Sequence, residues 1–260
     1  MDLLGVAGLA FLAVLSYRLK ATDRLGSLAA FLMGVIIGLS AGWSWVAYLV
    51  VFLAAGTLAT RYRYEYKSKL QAAQEKGGAR GALNVLANGG VPTLIALVYS
   101  LFPYSILGLM FVASVASALA DTLGTEIGLL RRSPPRFLFS GQQTQPGRSG
   151  GVTSLGIFAE LAGALLFSFF GFFLGIVSLP LVAVAVVGGF IGSNVDSMLG
   201  ATVQGYFICD VCGTSTEKRI HCGKQARLVS GLHWLGNNEV NILGAASGPL
   251  ISAALYLAFF

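Results

Sequence analysis

The sequence predicts an all-α, polytopic membrane bundle of about eight transmembrane helices with both termini outside. Three observations carry this. Apolar residues make up 55% of the 260 residues and charged residues only 11%, against roughly a quarter charged in soluble domains. The chain also divides into apolar runs long enough to cross a bilayer, where only a helix or a closed barrel satisfies its own backbone. Finally, all 17 Lys and Arg residues fall in four stretches, Arg18 to Arg24, Arg61 to Arg80, Arg131 to Arg148 and Lys218 to Arg227, while every second gap between apolar runs holds none. Cytoplasmic loops retain Lys and Arg, so the four stretches are placed inside. That orientation accounts for the net charge of +6, and no nucleic-acid partner is expected.

The first span, Leu3 to Tyr17, is preceded by Asp2 and followed by Arg18, Lys20 and Arg24. This reverses a secretory signal, so no cleavable signal peptide is expected and the helix stays in the membrane. Leu25 to Leu39 is a short second span, turned outside near Ser40 into the third, Trp43 to Thr60. The stretch Arg61 to Arg80 mixes Tyr, Lys, Gln and Glu and reads as a surface helix along the headgroups, anchored by Tyr62, Tyr64 and Tyr66. Gly77 to Gly81 is a flexible re-entry. Leu83 to Leu101 and Tyr104 to Ala120 form the next two spans across an external turn at Phe102 and Pro103. Gly151 to Phe173 and Leu181 to Val203 are joined by the uncharged segment Gly175 to Pro180, and Asn241 to Phe259 ends the chain. No loop reaches domain size. Residues 1–260 therefore form one transmembrane domain, with a cytoplasmic loop over 205–236.

Polar residues inside the membrane are costly, about 2.5 to 3.5 kcal/mol each for ionisable groups, so the few present point to function. They gather at the inner ends of helices. Asn84, Asn88, Gly89, Gly90 and Pro92 predict a broken helix lining a polar cavity. Ser114, Ser117, Asp121, Thr125 and Gly128 share one helical face. Glu126 lies about 140° round from Asp121, so both can hold one ion only if the helix unwinds near Gly124. The turn Gln142 to Thr153 holds Pro146, Gly147, Arg148, Ser149, Gly150 and Gly151 and opens into a helix. Such a turn presents backbone N–H groups and a cation to phosphate, although it lacks the Walker A spacing. Small residues from Gly188 to Gln204 surround Asp196, and Asn237, Asn238, Glu239 and Asn241 mark the mouth of the last helix. A faint repeat relates Asn84-Val85-Leu86 with Pro92 to Asn241-Ile242-Leu243 with Pro249, and Asp121-Thr122-Leu123 to Asp196-Ser197-Met198.

Glu160 stands apart, about 14 Å into its helix. Either it pairs with a basic group or it stays protonated beside a hydroxyl; it is left outside the catalytic set. Asp121, Glu126, Asp196 and Glu239 otherwise face Arg148 and the glycine turn. Carboxylates with phosphate donors are what a magnesium nucleotide requires, and phosphoryl transfer needs mainly alignment and charge neutralisation.

Cys209 and Cys212, each side of a two-residue spacer, are followed by His221 and Cys222 in a loop on the reducing side. A disulfide is not expected there. A structural Cys3His zinc knuckle, free thiols and redox chemistry remain the readings of this loop.

The segments Asn84 to Gly90, Ala120 to Gly128, Pro146 to Thr153, Gly192 to Gln204 and Asn237 to Asn241 resemble those of the integral membrane phytyl-phosphate kinases of plastids and their microbial relatives. The resemblance runs from about Leu83 to the carboxyl terminus, and the Asp121 to Gly128 motif with its glycine turn is also similar to the CTP-using dolichol and phytol kinases. It implies phosphoryl transfer from a nucleoside triphosphate, CTP foremost, to a prenyl monophosphate such as phytyl or geranylgeranyl phosphate. By this resemblance Asp121, Glu126 and Asp196 hold Mg2+, and Arg148, Ser149, Gly150, Gly151 and Thr153 cradle the nucleotide phosphates. Asn84, Asn88, Gln204, Asn238, Glu239 and Asn241 then place the acceptor. The site would face the cytoplasm from the cell membrane, and the cysteine loop lies outside the resemblance.

Two other classes use the same ingredients. An ion or small-solute transporter would spread polar groups across the bilayer. A membrane cytidylyltransferase or phosphotransferase of lipid synthesis would make a different bond, and an assembly factor would need no chemistry at all.

Overall fold

A computed structural model describes residues 3–74 and 76–260; Asp2, on which the amino-terminal charge pattern rests, lies outside the described residues. The apolar runs form α1 (Leu3–Arg18), α2 (Arg24–Ser40), α3 (Trp43–Arg61), α5 (Ala82–Leu101), α6 (Ser105–Gly128), α7 (Ser154–Phe173), α8 (Leu179–Thr202) and α9 (Asn237–Phe259), with α4 (Tyr64–Lys69) as a short link. Six of them, α3 and α5 to α9, are long and apolar enough to cross a membrane, and α1 and α2 are shorter apolar helices. The expected eight apolar helices are present.

The loops carry short strands. β1 (Arg136–Phe137) pairs with β2 (Gly151–Val152), while β3 (Tyr206–Ile208), β4 (Ser215–Thr216) and β7 (Arg227–Ser230) form a sheet in the order β4-β3-β7. β5 (Ile220–His221) and β6 (Lys224–Gln225) make a hairpin. Because Gly151 and Val152 are drawn into β2, the sixth span begins at Ser154 rather than Gly151. Thr153 caps it, its Oγ1 accepting from Gly156 N at 3.1 Å.

The hub is α6, buried along most of its length. Toward the end of α6 away from the basic loops Trp45, Tyr48, Phe111 and Phe167 pack together, and Tyr48 Oη donates to Phe167 O at 2.9 Å, tying α3 to α7. Along its other face small residues let α8 and α9 approach. A methyl group added at Gly192 would meet Ser117 Oγ at 2.5 Å and Gly248 Cα at 2.9 Å. Without water as a driving force, close packing of this kind is what holds membrane helices together.

Two helices carry internal prolines, and neither is broken. Pro92 lies inside a continuous α5 and Pro249 inside a continuous α9, so the interruption expected at Asn84 to Pro92 is absent. A proline removes the bond to the carbonyl four residues back, and that carbonyl needs another donor. In α9 the freed acceptor is Ala245 O, and Ser114 Oγ of α6 donates to it at 2.8 Å. Ser117 Oγ donates to the adjacent Gly244 O at 3.2 Å. In α5 the freed acceptor is Asn88 O, and the nearby side chains bond to other carbonyls of the same helix: Asn88 Nδ2 donates to Asn84 O at 2.9 Å and Thr93 Oγ1 to Gly89 O at 2.7 Å.

All four basic stretches meet at one end of the bundle. The α1–α2 turn is stitched to the segment before α5, with Arg80 N donating to Ala21 O and Asp23 N donating to Arg80 O, both at 3.0 Å. Lys76 Nζ adds an ion pair to Asp23 at 2.7 Å. Gly147 packs on Ala72, and Ser149 bonds to Glu217.

The surface helix expected over Arg61 to Arg80 is confined to α4. Of the three expected anchors Tyr62 and Tyr66 are exposed and Tyr64 is partly buried, its Oη donating to Gln74 O at 2.6 Å, while Lys67 turns inward and is fully buried. Its Nζ donates to Ala59 O (3.0 Å), Thr60 O (2.6 Å) and Glu126 Oε2 (2.5 Å), so all three protons are used. Removing one partner of a buried pair strands the other charge. Lys67→Met is therefore expected to destabilise the protein by about 3–5 kcal/mol, and Lys67→Met/Glu126→Leu to recover most of that, as read from unfolding of the detergent-solubilised protein.

Candidate active site

Three acidic side chains from three helices converge at the basic end of the bundle: Asp121 of α6, Glu160 of α7 and Asp196 of α8. They are close enough for the charge of Asp121 to act on both others and that of Glu160 on Asp196. Asp121 and Asp196 are partly exposed, whereas Glu160 is buried. The group therefore lines a recess, with Glu160 at its floor.

The positions follow from helix geometry and small residues. Glu160 lies over Gly124, where a Cβ would overlap its carboxylate, and Asn194 Nδ2 donates to Glu160 Oε2 at 3.3 Å. The hydroxyl of the second sequence-based alternative is present: Ser193 lies beside Glu160, together with the Asn194 amide and the Asp121 and Asp196 carboxylates. Asp196 rests against Gly244 of α9. With its amide turned so that Nδ2 donates, Asn241 reaches Asp196 Oδ2 at 3.3 Å and Asn237 O at 3.0 Å.

Glu126 points elsewhere. α6 stays helical through Gly124 to Gly128, so the unwinding needed to bring Glu126 round to Asp121 does not occur. Its carboxylate meets Lys67 instead.

The positive partner of the recess is Arg80. Its guanidinium lies on Gly56 and over the Phe52 ring of α3, 5.5 Å from the ring centre, within electrostatic reach of Glu126 and Asp121. Burial lowers its proton affinity from the ordinary arginine value, and the two carboxylates oppose that shift. A guanidinium stays charged under such shifts.

The glycine turn is clamped on the last turn of α8. Gly150, at φ +79°, lies so close to Ser197 O and Ala201 that no Cβ fits. Arg148 is held between aromatic rings, 3.9 Å above the centre of Tyr206 and 5.0 Å from that of Phe137. Ser149 presents its N–H and hydroxyl, and an anion already takes both: Ser149 N donates to Glu217 Oε1 at 2.7 Å and Ser149 Oγ to Glu217 Oε2 at 2.8 Å. Gln204 Nε2 adds bonds to Glu217 Oε2 (2.7 Å) and Ser149 Oγ (2.9 Å).

The remaining predicted residues divide. Asn241 and Gln204 join the recess and the turn, whereas Thr153 is occupied in capping α7. Glu239 Oε2 accepts from Gly236 N at 2.8 Å, fixing the start of α9. Asn238 lies in the first turn of α9, partly exposed at the same end, and Asn84 and Asn88 are bonded within α5. Arg80, Lys67 and Glu217 were not identified from sequence, and Asn194, part of the polar motif around Asp196, was given no role of its own. Arg80 and Lys67 were absorbed into the charge bias of the inner loops, and only Glu217, an acid set against Lys218 and Arg219, carries a local signal.

An alanine at position 150 faces both a left-handed backbone and a filled space. Gly150→Ala should displace the turn from α8, at about 1–3 kcal/mol for the backbone strain alone, and limited proteolysis should then cut within 145–151 in the variant before the parent.

Comparison with known proteins agrees with this architecture. The chain is 28% identical to Protein PGR of Arabidopsis thaliana over 258 residues, covering 89% of this chain and 88% of that protein. It is 30% identical to an uncharacterized membrane protein of Methanocaldococcus jannaschii, covering 94% and 90%. It is 24% identical to Protein VTE6, chloroplastic, of Arabidopsis thaliana, covering 87% of this chain and 63% of that protein. No solved structure matches it. With residues 7–248 matched, the chain belongs to the integral membrane protein family DUF92.

Proposed function

We propose that this protein is a prenyl-phosphate kinase, transferring the terminal phosphoryl group of CTP or another nucleoside triphosphate to a prenyl monophosphate at the cytoplasmic face of the cell membrane. One observation carries the reading: Asp121, Glu160 and Asp196, from three helices, lie within electrostatic reach of one another, with Arg80 within reach of Asp121, at the end of the bundle that also holds a clamped glycine turn. Acids gathered in low dielectric repel one another unless a cation joins them. Two partly exposed carboxylates on separate helices suit Mg2+, which takes one or two carboxylates and completes its shell with phosphate oxygens and water.

In this reading Asp121 and Asp196 hold the metal, which when bound neutralises charge on the transferring phosphates. Glu160, oriented by Asn194, positions the recess from below, and Asn241 steadies Asp196. Glu126 is assigned to Lys67 and leaves the metal set. Ser149 N–H and Oγ with Arg148 receive the donor phosphates, Ser149 exchanging the Glu217 carboxylate for a phosphate oxygen. Arg80 draws the acceptor phosphate toward the acids, with Asn238 at the rim and the prenyl tail in lipid.

An acceptor oxygen then forms the new P–O bond as the bond from the γ-phosphorus to its bridging oxygen breaks, releasing the nucleoside diphosphate. The monophosphate is already anionic near neutral pH, so no general base is required. That agrees with the absence of histidine from the recess among the described residues.

The assay supplies labelled CTP, Mg2+ and geranylgeranyl or phytyl phosphate to protein in detergent. Label should appear in a lipid diphosphate and fall at least about 100-fold in Asp121→Asn and in Asp196→Asn, as for loss of a transition-state electrostatic contact. Unlabelled lipid together with nucleotide-independent ion flux in liposomes would instead identify a transporter. Release of pyrophosphate with the cytidylyl group on the lipid would identify a cytidylyltransferase.

A further inference from the structure

The loop between α8 and α9 folds around four side chains that the proposed chemistry does not use. Cys209, Cys212, His221 and Cys222 bring one ligand atom each to within 4.8 Å of one another. His221 Nδ1 is 3.5 Å from Cys212 Sγ and 3.4 Å from Cys222 Sγ. In a tetrahedral zinc site, Zn–S near 2.3 Å and Zn–N near 2.0–2.1 Å set the N···S edge at about 3.6 Å. The two His221 separations match that edge, and the remaining ligand atoms lie within the 4.8 Å that the group spans.

The backbone is shaped to give this. After β3, Cys209 N donates to Thr214 O at 3.0 Å and Gly213 N to Cys209 O at 2.8 Å, so the chain doubles back and both thiols of the Cys-x-x-Cys pair face one point. The second pair, adjacent in sequence, would ordinarily diverge. Here His221 pairs with Lys224 across the β5–β6 hairpin, leaving Cys222 and Gly223 as its two-residue turn with φ of +50° and +74°. Positive φ at both positions is the type I′ geometry. It is uncommon for a cysteine, and it turns Cys222 to the same side as the imidazole.

Between these two ligand turns runs the segment 213–220, and Glu217 lies at its middle, immediately after β4. This is the carboxylate that bonds Ser149 N and Oγ and accepts from Gln204. An ion joining Cys212 to His221 would close that segment at both ends, fixing Glu217 against the turn at small entropic cost.

We propose that Cys209, Cys212, His221 and Cys222 bind one structural Zn2+, and that this ion holds the loop as a clasp whose Glu217 covers the donors of the glycine turn. Three thiolates and a neutral imidazole leave the site with a net charge of about −1. The same loop carries Lys218, Arg219, Lys224 and Arg227, the last paired with Asp210 at 3.4 Å. The proposal stands whether or not the recess transfers phosphate.

Its test uses full-length protein in detergent, purified without chelator. Elemental analysis should find one zinc per chain, and Co2+ exchanged into the site should give the intense visible absorption of a tetrahedral thiolate complex. Less than a tenth of an equivalent, or stoichiometric iron, overturns the proposal. Hydrogen exchange then reads the clasp: chelation of the zinc, and separately Glu217→Gln with zinc retained, should each speed exchange at the Ser149 amide at least tenfold while leaving α6 unchanged. Cys212→Ser should lose the metal and reproduce the effect of chelation; should that variant fail to fold, the parent with and without chelator decides alone. Unchanged Ser149 exchange after zinc removal overturns the clasp.

Discussion

The Lys67 to Glu126 contact organises the basic end of this bundle. A lysine ammonium taken out of water must find acceptors for all its protons, and this one finds two carbonyls at the end of α3 and a carboxylate at the end of α6. The link between α3 and α5 is thereby pinned to the central helix rather than free along the headgroups. Everything nearby depends on that. Arg80, farther along the same link, comes within electrostatic reach of Glu126 and Asp121, and the backbone around it stitches the α1–α2 turn into place. The pair does not make the protein stable in proportion to its Coulomb energy, since desolvation opposes it. It makes one arrangement of the loops the only one in which neither charge is stranded.

Packing within the membrane solves a different problem. Lipid is as apolar as leucine, so helices associate through contact and through polar atoms that need partners. Glycines on α8 and α9 allow contact with α6, and the carbonyl released by Pro249 draws the hydroxyl of Ser114. The same close approach carries Asp196 up to Gly244 and Glu160 onto Gly124. Small residues that read as mere packing thus also create the space in which carboxylates meet.

At the glycine turn the protein supplies its own anion. Glu217 takes the backbone N–H and hydroxyl of Ser149 with the directness expected of a phosphate oxygen. Both donors of Ser149 are thus taken by a tethered carboxylate, with which any ligand there would compete. Tethering raises the effective concentration of that competitor, so whatever holds the loop sets how readily the turn opens.

The sequence by itself determined the eight apolar helices, the grouping of the basic loops at one end, the glycine turn and the four metal-type ligands, because each is written in local periodicity, charge or spacing. It also named Asp121 and Asp196. Only the tertiary structure decided who meets whom. Helical period tells which face a residue occupies but not which neighbouring helix that face meets, so Lys67 and Glu126, 59 residues apart, and Ser149 and Glu217, 68 apart, left no pattern to read. For the same reason Glu126, on the motif of Asp121 but turned away from it by an unbroken helix, resembled a metal ligand in sequence. Glu160, alone in its helix, became part of the recess only when α6 and α8 closed around it.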